Sequence, residues 1–181
     1  MNLFLWGALP YIAFTFLIVG TLVRFFYFER NWTTKSSEFL EKKQLRIANP
    51  LFHFGLLCVI GGHVVGVLIP KTWTAAIGIN DHMYHEGALY MGAVAGIIFI
   101  VGFLLLMKRR FTVPAMKVNT SGLDKWLYLF LTLAIFSGMA GTLLNASGFF
   151  DYRVSIGPWF RSLLSFMPDP SLMEGVPFMF K

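Results

Sequence analysis

Four long runs without a charged residue alternate with shorter polar segments along the chain. The runs are 1–23, 47–70, 87–107 and 126–150. Each has at least about 20 residues, the length that an α-helix needs to cross the hydrocarbon core of a bilayer. A helix also satisfies its own backbone groups, which lipid cannot do. The pattern therefore predicts an all-α integral membrane protein, with transmembrane helices at about 3–28, 47–70, 86–107 and 124–149.

The end of the chain follows a different pattern. Apolar residues recur at helical spacing between 154 and 167, with polar residues on the rest of the helical wheel. This pattern is typical of an amphipathic helix that lies on the outer membrane surface, and Pro168 and Pro170 should end it. A new apolar stretch then begins, and we expect residues 174–181 to be the first turns of a fifth helix. On this view the sequence is C-terminally incomplete.

Basic residues are divided unequally between the connectors. The first and third connectors carry 11 of them, whereas the second connector and the segment after the fourth run carry 3 before the terminal Lys181. The positive-inside rule therefore places the first and third connectors in the cytoplasm and the N-terminus outside. No basic residue precedes the first apolar run, so a cleaved signal peptide is not predicted. Lys108-Arg109-Arg110 is expected to anchor the topology; a docking face for a cytoplasmic partner is the alternative.

Composition supports a membrane protein. Hydrophobic residues make up 56% of the chain and charged residues 13%, about half the average of soluble domains, which is about 25%. The net charge of +6 would suggest nucleic acid in a soluble protein. Here the basic residues flank apolar runs, so we expect a lipid bilayer and no nucleic acid. The single cysteine, Cys58, excludes an intrachain disulfide and an iron–sulfur cluster ligated by this chain's cysteines alone.

Two histidines, His53 and His63, lie inside the second uncharged run. An ionisable side chain at membrane depth is costly and marks a functional site by default. Imidazole is also a common axial ligand of haem iron. Ten residues of helix rise ~15 Å and leave the two side chains ~80° apart. The spacing predicts two haems stacked across the membrane, one on each histidine; the alternative is a pair of histidines hydrogen-bonded to neighbouring helices.

Glycines accompany both histidines. Gly55 is near His53, and Gly62 and Gly66 are near His63. The missing side chains would let a flat macrocycle approach the helix, so we predict that these three glycines line the cofactor. The alternative is that they permit close helix packing, as small residues do in membranes.

A second pair of histidines, His82 and His85, is predicted to lie in the outer connector, just before the third span. Oxidation of a quinol releases two protons, and an imidazole that titrates near neutral pH is a suitable acceptor. We assign this role to His82, with an ordinary solvated loop as the alternative. No nucleophile triad, phosphate loop or carboxylate pair stands out in the sequence.

These features resemble a known family. The segments Asn-Pro-Leu-Phe-His-Phe-Gly at 49–55 and Gly-His-Val-Val-Gly at 62–66 resemble the gamma subunit of respiratory nitrate reductase, a membrane cytochrome b. Lys108-Arg109-Arg110, Thr-Ser-Gly at 120–122 and the segment 175–181 fit the same family, and the match covers the whole chain. A membrane cytochrome b of the heterodisulfide reductase type, serving another reductase, is one alternative. A non-redox membrane anchor or transporter is the other.

The resemblance implies a single cytochrome b domain over 1–181 in a bacterial cell membrane, with two b-type haems. His53 would ligate the haem nearer the cytoplasm and His63 the outer haem. Menaquinol or ubiquinol would be oxidised beside the outer haem, with protons released outside. Electrons would pass to an iron–sulfur subunit and then to a molybdenum catalytic subunit that reduces nitrate. The family's partner histidines lie on a fifth span, so this chain is expected to supply half of each ligand pair.

Overall fold

The computed structural model describes residues 2–28, 39–148 and 151–176, and within these ranges it is helical without strands. Four helices are long and apolar enough to cross a membrane. The predicted all-α membrane architecture is therefore confirmed. The helices are a π-helical turn at Phe4–Ala8, α1 at Leu9–Tyr27, α2 at Leu45–Leu68, α3 at Lys71–Ala76, α4 at Asp81–Thr112, α5 at Pro114–Val118, α6 at Gly122–Ala146, α7 at Ile156–Leu164 and a 3-10 helix at Pro170–Met173.

The third spanning helix, α4, is longer than its apolar run. It has 32 residues, or about 48 Å at 1.5 Å per residue. Asn80 caps its first turn, because the Asn80 side chain accepts a hydrogen bond from the backbone N–H of Met83 at 2.8 Å. The helix therefore begins at Asp81, and the prediction that His82 and His85 lie in a connector is wrong: both are on the first two turns of α4.

The closest packing lies between α2 and α4. A β-carbon at Gly102 of α4 would collide with the backbone of Phe52 in α2. The rings of Phe52 and Phe99 lie 5.2 Å apart, and Phe99 and Phe103 are both buried. Small residues let the two backbones approach and aromatic rings fill the space beside them. These two helices form the framework that carries all four histidines.

The amphipathic helix is confirmed as α7 but is shorter than the predicted 154–167. It ends at Leu164 because Phe166 adopts the left-handed conformation, with φ of 57°. The amide groups of residues 166 and 167 then bond back to carbonyl groups in the last turn of the helix, at 3.1 and 3.0 Å. Pro168 lies beyond this end and does not cause it.

Two tryptophans join α7 to the beginning of the chain. The indole N–H of Trp159 donates to the carbonyl of Trp6 at 2.8 Å, and the two rings meet edge to face at 5.9 Å. This carbonyl lacks its usual helical donor because Pro10, four residues later, has no N–H. The hydroxyl of Tyr11 also donates to the carbonyl of Leu163 at 2.8 Å. The N-terminal end of the first spanning helix is therefore fixed to α7.

Arg161 joins α7 to the C-terminal end of α2. One of its guanidinium nitrogens donates to the carbonyl of Val67 at 2.6 Å. Carbonyls in the last turn of a helix lack intrahelical partners, and a cation there also interacts favourably with the helix dipole. Burial, followed by repulsion from Arg153, lowers the pKa of Arg161. Gly157 leaves room for this contact, since a β-carbon at that position would lie 3.2 Å from the guanidinium.

The predicted start of a fifth helix at 174–181 is only partly described. Residues 174–176 form a turn after the 3-10 helix. The remaining residues of that prediction, 177–181, lie outside the described residues.

Polar residues cluster at the two ends of the spanning helices, and we call these clusters the α7 end and the α5 end. The α7 end comprises Trp6, α3, the first turns of α4, Asn145 and residues 151–164. The α5 end comprises residues 39–46, the last turn of α4, α5 and the first turn of α6. Most of the described basic residues are at the α5 end; those at the α7 end are Lys71, Arg153 and Arg161.

Candidate functional site

Both intramembrane histidines are exposed on α2 and have the same hydrogen bond. The Nδ1 atom of His53 is 2.9 Å from the carbonyl oxygen of Asn49, and the Nδ1 atom of His63 is 2.8 Å from that of Val59. A carbonyl only accepts, so each Nδ1 carries the hydrogen and Nε2 of the neutral ring keeps its lone pair. In metal sites, a ligating histidine usually donates its other ring N–H to such a carbonyl or carboxylate. Both side chains are therefore suited to bind a metal through Nε2.

These histidines do not form one conventional metal site. Within the described part of the chain, no group of three or more His, Cys, Asp and Glu residues could hold a metal ion. Ten residues of helix separate the two rings by ~15 Å of rise. A metal bound at either histidine would therefore need further ligands from outside this set, as a porphyrin supplies to iron. The Nδ1 hydrogen bonds lie within α2 itself, unlike those expected if the histidines were ties between helices.

The three glycines near the histidines have different surroundings. A β-carbon at Gly55 would be 2.5 Å from the backbone nitrogen of Phe99, and one at Gly66 would be 3.0 Å from the ring of Tyr152. Nothing lies within 4 Å of the corresponding position at Gly62. The contacts of Gly55 and Gly66 favour the packing alternative, whereas Gly62 leaves open space next to His63. Their assignment as cofactor-lining residues stays a prediction.

The two histidines of α4 differ in environment. The His82 side chain is 79% exposed, and its Nε2 lies 3.6 Å from a carboxylate oxygen of Glu86, one turn later. His85 is half-buried and lines a small cavity at the α7 end. The proton-accepting role predicted for His82 thus gains no support from its contacts, and His85 is the one of the pair that the fold brings together with other polar groups.

The cavity beside His85 was not predicted from the sequence. It has a volume of about 40 Å³, enough for about one water molecule. Its lining comes from α3, α4, the end of α6 and the connector before α7, which are distant in the sequence. The lining residues are Lys71, Asp81, Tyr84, His85, Ala88, Asn145, Asp151, Tyr152 and Arg153.

Arg153 is the central cation of this cavity and is 7% exposed. Its guanidinium donates to the hydroxyl of Thr74 at 3.1 Å and lies over the ring of Tyr84, 3.6 Å from the centroid. A second guanidinium nitrogen is 3.7 Å from a carboxylate oxygen of Asp81. Its buried Nε has no hydrogen-bond partner among the described residues. One N–H group of a buried cation therefore lacks an acceptor within the described protein.

The charges around the cavity are balanced. Lys71 Nζ is 2.8 Å from Asp151 and 3.6 Å from Asp81, so the two carboxylates face two cations, Lys71 and Arg153. Burial raises the pKa of Tyr152, and the neighbouring Tyr84 raises it further through repulsion and a hydrogen bond. The Tyr152 hydroxyl therefore stays neutral, and the cavity carries no excess charge from these groups.

At the α5 end, two arginines of the basic cluster are engaged within the chain. Arg109 is 4% exposed, and its Nε donates to Glu41 at 2.8 Å. Arg110 donates to Asp124 at 2.9 Å. These ion pairs disfavour Arg109 and Arg110 as a docking face, whereas Lys108 is exposed. The role of the cluster as a topology anchor stays a prediction.

Known proteins resemble this chain over its whole length. The family model described as nitrate reductase gamma subunit matches residues 2–181. The nitrate reductase gamma chain of Bacillus subtilis is 47% identical over 98% of this chain and 80% of its own length. The respiratory nitrate reductase 1 gamma chain of Escherichia coli is 27% identical over 100% of this chain and 81% of its own length. The nitrate reductase-like protein NarX of Mycobacterium tuberculosis is 38% identical over 97% of this chain, which spans 28% of that protein.

Proposed function

Because the chain belongs to the nitrate reductase gamma subunit family, and is thus a multi-pass membrane subunit of a bacterial nitrate reductase, we propose that it is the subunit that oxidises quinol. In this proposal His53 and His63 would hold two b-type haems, which would supply the redox chemistry for electron transfer through the membrane. In this proposal another subunit of the complex reduces the nitrate. The family match favours nitrate reductase over the heterodisulfide reductase type of cytochrome b.

The pair of Nδ1 hydrogen bonds on α2 is the observation that carries this proposal. It leaves Nε2 of His53 and of His63 with a free lone pair, so each histidine would be able to hold the iron of one haem. The open space at Gly62 is compatible with a flat group beside His63. Bound haem supplies one-electron redox chemistry at these positions. The chain's part is to hold each iron through a neutral imidazole.

Orientation follows from the distribution of charge. The α5 end carries most of the basic residues, so the positive-inside rule places it in the cytoplasm. His53 is then nearer the cytoplasm and His63 nearer the outside. Quinol, either menaquinol or ubiquinol, would be oxidised at the α7 end with release of protons outside. Electrons would pass inward to an iron–sulfur subunit and a molybdenum catalytic subunit.

The test uses the complete complex, expressed from the full-length gene and purified in detergent. Menadiol should reduce a b-type absorbance, and nitrate should then reoxidise it. The matched control is the complex from which the molybdenum subunit is absent, in which menadiol should still reduce the haem and nitrate should not reoxidise it. A preparation with no b-type absorbance would contradict the proposal and favour a non-redox anchor.

A further inference from the structure

We propose that His85 and the cavity beside it form the route by which quinol protons leave the membrane at the α7 end. This inference rests on the proposed oxidation of quinol at that end. His85 lies on the second turn of α4, and its half-buried ring lines the cavity. Two carboxylates on the same lining, Asp81 and Asp151, have side chains that are 68% and 49% exposed. The cavity thus joins a half-buried imidazole to groups in contact with water.

The chemistry requires an acceptor for each proton. A quinol that becomes a quinone loses two electrons, which pass to the proposed haem irons, and two protons from its hydroxyl groups. For each proton, an O–H bond of the quinol breaks and an N–H bond forms on His85. His85 then passes the proton through water to the outside and is neutral again for the second one. Imidazole suits this cycle because it takes up and releases protons near neutral pH.

The cavity has polar partners and room for a water molecule. Its lining includes the side chains of His85, Asn145 and Asp151, and its volume is about 40 Å³. This is enough for about one water molecule, and a buried water typically makes about three hydrogen bonds. Such a water would link the lining groups to one another.

The electrostatic surroundings allow His85 to become positive for a short time. The charged groups that face it are Lys71 from α3, Asp81 from α4, and Asp151 and Arg153 from the connector, so cations and carboxylates balance. Without the carboxylates, the two cations would repel an imidazolium ion. The other polar lining groups are the hydroxyls of Tyr84 and Tyr152 and the amide of Asn145, and the nearby groups on α4 outside the lining are His82 and Glu86.

His82 provides the natural comparison. It is on the same helix three residues earlier, carries the same ring, and is outside the cavity lining. Its side chain is 79% exposed and its neighbour is Glu86. If the cavity matters, the two histidines should differ in their effect on quinol oxidation. If any imidazole at this end of α4 can accept the protons, substitution of either histidine should slow quinol oxidation to the same extent.

The experiment measures menadiol-driven haem reduction in the purified complete complex by stopped flow, between about pH 6 and pH 8, where imidazole titrates. His85→Gln should slow reduction by at least about tenfold, a modest part of the 10²–10⁴ usual for acid–base catalysis. The substitution should also remove the increase of the reduction rate with pH. Imidazole added to the buffer should restore part of the lost rate. Haem content and reduction by dithionite should match the unmodified complex. In this proposal His85, and not His82, accepts the protons, because only His85 lines the cavity, so His82→Gln should change the rate less than twofold.

A rate for His85→Gln equal to that of the unmodified complex would overturn the inference, as would an equal loss in His82→Gln. If His85→Gln does not assemble, Asp151→Asn provides the test: loss of a carboxylate leaves an excess of cations, so reduction should slow several-fold. An unchanged rate in that variant would overturn the inference. If the unmodified complex has reducible haem that menadiol does not reduce, the proposed function fails as well.

Discussion

Gly55 of α2 lies directly against the backbone of Phe99 in α4. A β-carbon at residue 55 would be 2.5 Å from the backbone nitrogen of Phe99 and 2.6 Å from its Cα. A β-carbon does not approach non-bonded backbone atoms this closely, and a backbone cannot move aside as the end of a side chain can. Because Gly55 is two residues from His53, this contact fixes the part of α2 that carries the inner histidine.

The change Gly55→Ala should therefore destabilise the protein. The added methyl group would force α2 and α4 apart, which typically costs about 1–3 kcal/mol for an overpacked core. The measurement is the thermal unfolding midpoint of the purified complex in detergent. The control is Gly61→Ala on the same helix, where nothing lies within 4 Å of the added atom. Equal midpoints for Gly55→Ala and the unmodified protein would contradict the packing.

Trp159→Phe should weaken the attachment of α7 to the N-terminal helix. The phenyl ring keeps most of the packing against Trp6 but cannot donate to its carbonyl, which Pro10 leaves without the usual helical donor. Loss of one such hydrogen bond costs about 1 kcal/mol. Proteolysis or hydrogen exchange of residues 2–28 should become faster. Trp126→Phe on α6, where the ring is 60% exposed, is the control and should have no effect. Unchanged exchange in Trp159→Phe would show that the bond contributes nothing.

Stability should fall in acid because of Glu41. The backbone N–H of Gln44 is the main cause that lowers the pKa of Glu41, and Arg109 adds a hydrogen bond and an attraction. A carboxyl with a lowered pKa stabilises the fold at pH values above its ordinary value of 4.5. That contribution is lost as the pH falls through the lowered pKa. Melting curves from pH 7 to 3 should show this decline, and Glu41→Gln should flatten it and lower the midpoint at pH 7. Glu86→Gln is the control and should show the same decline as the unmodified protein. If Glu41→Gln also declines like the unmodified protein, the prediction is contradicted.

The repeating pattern of the sequence was sufficient to predict the four spanning helices and α7. Because lipid offers no hydrogen-bond partners to the backbone, a long apolar run in a membrane must form a helix. These predictions therefore depend only on the run itself. The ends of the helices depend on single residues instead. Asn80 begins α4 six residues before its apolar run, and Phe166 ends α7 before the prolines do. Such capping contacts lie outside a hydrophobicity pattern.

The candidate site could be predicted only in part, for a similar reason. His53 and His63 are predicted as site residues because their depth and spacing are visible within one helix. The cavity was not found, because Lys71 and Arg153 are 82 residues apart and meet only in the folded chain. Its signal in the sequence is weak: a few polar residues at the ends of apolar runs. The same limit applies to Gly55, whose neighbour Phe99 is on another helix.

The proposed orientation can be tested with single cysteines. In a Cys58→Ala background, Thr72→Cys reports the α7 end and Val118→Cys reports the α5 end, and both positions are exposed. A membrane-impermeant maleimide should label Thr72→Cys in intact cells and Val118→Cys only after lysis, because the positive-inside rule places the α5 end in the cytoplasm. The reverse pattern would invert the assignment of inner and outer histidine.

The central claim is that His53 and His63 each ligate one haem. The most direct measurement is the haem b content of the complete complex, determined as the pyridine haemochrome, together with the absorbance spectrum of the reduced complex. The unmodified complex should contain two haems, and His53→Ala and His63→Ala should each contain one, with different spectra for the remaining haem. His82→Ala should retain both, since its exposed ring lies at the beginning of α4. Two haems in both His53→Ala and His63→Ala would contradict the account.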